Sequence, residues 1–183
     1  MNLYILVYSV LAFMGCSLSS NQKTIDACIA ANNVTDYLDD IALKPKLYLT
    51  NQKDDCVFKL IDTLRYNSVL GSGRSLEVLG YLYRNSDGEI SEYFDEIGVE
   101  IFYIRFDVFA NYVYLHRMEK SKDVEKMIIR GMSFEISMAR NRSMKREELK
   151  KYILTQCKKY KYVKHKTDYL IGIEKQMNPS IFD

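Results

Sequence analysis

The feature that most constrains this chain is a row of apolar residues, Ile90, Phe94, Ile97, Ile101, Ile104, Val108, Tyr112 and Leu115, recurring at steps of three or four. A helix turns once per ~3.6 residues, so this spacing brings all of them to one side of a single long helix that the rest of the chain has to cover. Ser86-x-x-Glu89 just ahead of the row matches a capping box, and Gly98 offers a kink or a point of close packing. At the centre, Phe102-Tyr103-Ile104-Arg105-Phe106-Asp107-Val108-Phe109 alternates apolar and polar residues of strand-forming type. The three-four spacing persists longer than the alternation, which favours the helix; strands near 100–115 in an α+β fold are the alternative.

Only 8 glycines and 2 prolines in 183 residues leave few places for the chain to turn, a balance that suits helices. Ile25, Cys28, Ile29, Leu38 and Ile41 keep helical spacing from Thr24 to Ile41, weakened at Asn32-Asn33, and Lys44-Pro45-Lys46 forces a break. Val57, Leu60, Ile61 and Leu64 make a short helix from Asp54 to Leu64, with Asp54 and Asp55 in its first turn where the dipole favours carboxylates. Gly71-Ser72-Gly73 punctuates the chain before a helix from Ser75 to Arg84. Ser121 is positioned to cap a helix reaching about Arg140, with Val124, Met127, Ile128 and Met132 along one side. Ser143 is positioned to cap the next, striped by Leu149, Tyr152, Ile153, Cys157 and Tyr160, and Asn178-Pro179 stops a last helix from Thr167 to Gln176. The expected fold is all-α: one domain over 24–183, with six or seven helices packed around a long central one.

The N-terminus has a different character. An apolar run from Leu3 to Gly15 ends at Cys16 and gives way to Ser-Leu-Ser-Ser-Asn-Gln. The run falls short of the ~20 residues a spanning helix needs and fits the core of a secretory signal. Phe13-Met14-Gly15-Cys16 resembles the cleavage and lipidation site of bacterial lipoproteins, which implies a signal peptide over 1–15, an acylated Cys16, and a polar tether over 16–23. Phe13 and Met14 are bulkier than that pattern usually has, and no Lys or Arg precedes the run. An ordinary cut at Ser17 or Ser19, and an uncleaved anchor or buried N-terminal helix, are the other readings.

Export places the cysteines in an oxidising setting. Cys28 and Cys56 are then available for a bridge between the first two helices, while Cys157, inside an apolar stripe, reads as a buried free thiol.

Charge divides the chain. From Ser17 to Lys120 there are 11 basic against 16 acidic residues, a net of −5; from Ser121 onward 15 against 8, a net of +7. The acidic part includes Glu89, Glu92, Asp95, Glu96 and Glu100, of which Glu92 with Glu96 and Glu96 with Glu100 share a helical face. The basic part is a patch of Lys145, Arg146, Lys150, Lys151, Lys158, Lys159, Lys161, Lys164 and Lys166, interleaved with tyrosines. Such interleaving suits phosphate tracking and base stacking, but an exported protein seldom meets nucleic acid. Beside a membrane the same lysines suit anionic headgroups.

Catalytic and cofactor signatures are not found in the sequence. The two histidines, His116 and His165, stand in no metal-ligand pattern and read as structural or exposed. No Gly-x-Ser-x-Gly occurs, and Gly71-Ser-Gly-Arg-Ser-Leu lacks the ending of a phosphate-binding loop. The clustered acids have neither an orienting histidine nor a glycine-turn calcium loop beside them. No cofactor or metal is expected. The layout, a short signal followed by one small helical domain, resembles periplasmic immunity proteins that neutralise competitors' toxins. That resemblance implies a protein partner, a basic toxin, met by the acidic face, and a membrane reached through the lipid anchor. A secreted helical effector or surface factor acting on a host or membrane is the alternative, and an enzyme of unknown chemistry the third.

Overall fold

The computed structural model of the chain describes residues 25–50, 52–120 and 122–183. The expected signal peptide, Cys16, the tether and the capping role of Ser121 lie outside the described residues. Within them the chain is entirely helical and forms one domain of ten α-helices and a short 3-10 helix, with no strand.

The N-terminal segment divides where its sequence weakens. Helix α1 (Ala27–Asn32) is capped by the Asp26 side chain, Asn33 breaks the path, and α2 (Val34–Leu43) follows. Pro45 then opens α3 (Pro45–Leu49), so the expected break falls at Lys44 alone and the proline takes the first helical position, where its missing N–H costs nothing. Helix α4 (Asp54–Val69) runs a turn past the expected Leu64 and ends at Gly71, whose φ of +108° lets the Ser72 amide return to the Asn67 carbonyl. Ser72 caps α5 (Gly73–Asn85) by accepting from the Ser75 amide. The Cys28–Cys56 disulfide, with Cα atoms 4.5 Å apart, ties α1 to α4.

The long central helix is the main correction. It is two helices, α6 (Gly88–Ile104) and α7 (Phe106–Leu115), separated at Arg105, which takes a non-helical φ of −131° and ψ of 53°. The alternating stretch marks this break and forms no strand. Three partners account for it. The Arg105 guanidinium donates to the Val69 carbonyl that the end of α4 leaves exposed, and it pairs with the Asp107 carboxylate at 3.0 and 3.1 Å. Tyr152 donates to the Tyr103 carbonyl at 3.0 Å, serving the end of α6 in the same way. The turn then packs Phe102 against Phe106, Phe109 and Tyr152, with ring centroids 5.4–5.6 Å apart. The count of six or seven helices falls short because the first segment does split at Asn33, the chain forms a short extra helix, α3, after the expected break at Lys44, and the long helix breaks at Arg105.

Two caps also differ. Ser86 donates to the Tyr83 carbonyl and closes α5, so α6 opens on Asp87 and no capping box forms. Asn141, two residues before Ser143 and as good a cap as serine, accepts from the Met144 amide and opens α9 (Arg142–Lys159), whose first residue, Arg142, pairs with Asp183 at 2.5 and 2.9 Å. Helix α8 (Asp123–Ser137) ends three residues before Arg140, and α10 (Lys164–Gln176) starts earlier than Thr167. The chain closes on a 3-10 turn, Pro179–Phe182.

Helices α6 and α8 share the most extensive contact. Gly98 supplies close packing, not a kink: a Cβ there would lie 2.9 Å from the Met127 carbonyl oxygen. Gly131 of α8 sits directly against the Asp95 backbone. Around this seam Leu60, Leu64, Leu76, Leu79, Phe94, Ile101, Met127, Ile128 and Met132 are fully buried. Among the described residues no helix is long and apolar enough to cross a membrane.

Candidate functional site

The five acids of α6 do not form one face. Asp95 is 4% exposed and lies on the row with Gly98 and Phe102 that meets α8, where the Arg130 guanidinium reaches its carboxylate at 3.0 Å. Burial pushes the Asp95 carboxyl above its ordinary value, more than Arg130 lowers it. Glu100 is held by Arg65, which donates to both its oxygens at 2.6 Å and ties α6 to α4. Glu89, Glu92 and Glu96 remain exposed, and among the described residues none of them has an ion-pair partner.

The basic patch divides as well. At the start of α9, Lys145 pairs with Glu135 at 2.6 Å, and Arg146 faces Glu174 at 3.6 Å while donating to the Met177 carbonyl. Leu149, Ile153 and Cys157 bury the inner side of the helix, as expected; Tyr152 is half-buried and Tyr160 is exposed. Lys150, Lys151, Lys158, Lys159, Lys161 and Lys164 are exposed, with no ion pair among the described residues. Lys166 behaves differently: it is buried, with its ammonium 3.5 Å from the centre of the Tyr162 ring, donating to Asn111. Burial lowers its pKa. Cys157 is a buried free thiol, and burial raises its pKa.

A third constellation escaped the sequence reading. His116 stacks on Tyr112 at 4.2 Å and meets Glu119 at 2.5 Å through Nδ1. Beside it Arg74 bridges Asp39 and Glu77 at 2.6 Å each, and Tyr81 donates to Glu77 at 2.7 Å. Burial works against ionising Glu77, yet the hydrogen bonds from Arg74 and Tyr81 outweigh it and hold the carboxyl below its ordinary value. Two clefts share Glu77, Tyr112 and His116: a narrow one of about 30 Å³ running to Asp123 and Glu125, and an open one of about 390 Å³ between α5 and α7 floored by Val108, Tyr112 and Leu115. The His116-x-x-Glu119 spacing was the available signal, since residues three apart at a helix end are neighbours. Every charged member of the group already has a partner: Arg74 joins α2 to α5 through Asp39, and His116 closes on Glu119 and Tyr112 at the end of α7. Compared with protein-family models, with curated proteins and with solved structures, the chain matches none of them.

Proposed function

We propose that this chain is an exported helical domain that works by binding another protein through the outer edge of α6, as a periplasmic immunity protein would hold a competitor's basic toxin. The carrying observation is the exposed row Glu89, Glu92, Glu96 beside two neighbours already spent on the fold. The helix dipole accounts for Glu89 in the first turn, but it fades before Glu92 and Glu96. Those two repel each other across one turn, at a cost of a few tenths, ~0.3 kcal/mol, that no contact inside the protein offsets. A basic partner surface would offset it and be drawn in by it. Export is supported by the Cys28–Cys56 bridge, and a lipid anchor at Cys16 by the apolar run before it.

Site-specific crosslinking tests the reading. A photo-reactive side chain at position 92 or 96 should trap one basic protein from the exported fraction or from competitor medium, while the same probe at Glu147, an exposed acid of α9, should not. Equal trapping at all three positions, or none at 92 and 96, would overturn it.

A further inference from the structure

The elbow between α9 and α10 carries an unbalanced charge that the acidic edge does not explain. From Leu149 to Thr167 the chain has seven lysines and no acidic residue. Six of the seven are exposed. On α9, Leu154 is 46% exposed and lies one turn from Lys150, Lys151 and Lys158; past the helix end, Val163 is 55% exposed between Lys161 and Lys164. Apolar side chains set among unpaired lysines make an amphipathic cationic surface. Lys161 adds a separate observation. It turns the chain with φ of +53°, where the Tyr162 amide returns to the Cys157 carbonyl, a position at which glycine is unstrained and lysine is not. The fold accepts backbone strain there and gains an exposed positive charge.

We infer that this elbow is a docking surface for an anionic phospholipid bilayer, with the lysines meeting headgroup phosphates while Leu154 and Val163 enter the interface. Charge complementarity selects an anionic occupant, and the aromatic rings select lipid over nucleic acid. Tyr160 and Tyr162 are stacked on each other with centroids 5.7 Å apart; Lys166 lies over Tyr162 and Lys159 over Tyr160. These rings are engaged within the protein instead of being offered to bases. The inference is independent of the acidic edge and of any partner there.

Flotation of the full chain with vesicles tests it. Vesicles of phosphatidylcholine containing about 30% phosphatidylglycerol should bind more than tenfold better than phosphatidylcholine alone at about 0.05 M salt, each lysine contributing roughly fivefold. The apolar N-terminal run adds equally to both vesicle types, so the ratio reads the lysines. The ratio should collapse near about 0.5 M salt, and in K158E/K159E/K161E, whose exposed positions leave the core intact; E92K/E96K should keep it. A wild-type ratio near one, or a triple variant that retains the preference, would overturn the inference, as would displacement of bound vesicles by a single-stranded oligonucleotide at equal phosphate concentration.

Discussion

The seam between α6 and α8 and the elbow between α9 and α10 are both rich in charge, and they use it in opposite ways. At the seam, glycines bring two backbones together, and Asp95 and Arg130 close the edge of the contact. On the helix that leads to the elbow, the charges that hold α9 sit in its first turns, where Arg142, Lys145 and Arg146 meet Asp183, Glu135 and Glu174. The six exposed lysines that follow have no ion-pair partner among the described residues. A charge count along the sequence treats the two regions alike; only subtracting the pairs spent on the fold separates structural charge from charge left for a partner.

The largest effect should come from filling the seam. Gly131→Ala places a Cβ into the Asp95 backbone and forces α6 and α8 apart. Overpacking of a well-packed contact costs up to about 3 kcal/mol, and urea denaturation should show a loss of that size. A loss near zero would mean the seam is looser than its geometry.

Arg130→Met comes next. It leaves the Asp95 carboxylate buried without its cation, and because Arg130 is itself partly exposed the loss should be about 2 kcal/mol, below the value for a fully buried pair. The sign with pH follows from the raised carboxyl. A group whose folded pKa lies above its unfolded value favours the fold when protonated, and this contribution is lost as pH rises through the folded pKa. The variant should therefore be nearest to wild type below about pH 4 and furthest from it at neutral pH. Denaturation at both ends of that range checks it; a pH-independent loss would make the pair a packing contact only.

At the elbow the expected sign reverses. Lys161→Gly removes the strained φ and should stabilise the fold by about 0.7 kcal/mol, seen as a raised urea midpoint, while lowering binding to anionic vesicles. A destabilised variant would show that Lys161 is held there by contacts of its own.

Much of this organisation was legible in the sequence. The weak point at Asn33 and the buried stripe of Leu149, Ile153 and Cys157 follow from local chemistry and a single helical period, and the pairing of Cys28 with Cys56 from the oxidising setting that export implies. The break at Arg105 did not, because the partners that stabilise it, Val69 and Tyr152, lie 36 and 49 residues or so away in the chain and only the folded protein brings them near. Asp95 was misjudged for a related reason. Its helix is covered on two sides, by α4 and α8, so it buries a second row through Asp95, Gly98 and Phe102 beside the apolar stripe, and one stripe was all the period revealed.

The smallest effect on folding is expected at Glu92 and Glu96, and these residues test the central claim, that the charges left unspent by the fold are the ones that meet a partner. The direct measurement is the association rate between the full chain and the protein crosslinked at position 92 or 96, for wild type and E92K/E96K, at about 0.05 and about 0.5 M salt. The account predicts an unchanged urea midpoint, association slowed by about tenfold at low salt with little change in dissociation, and a gap that narrows at high salt. Equal association rates for the two proteins at low salt would contradict it.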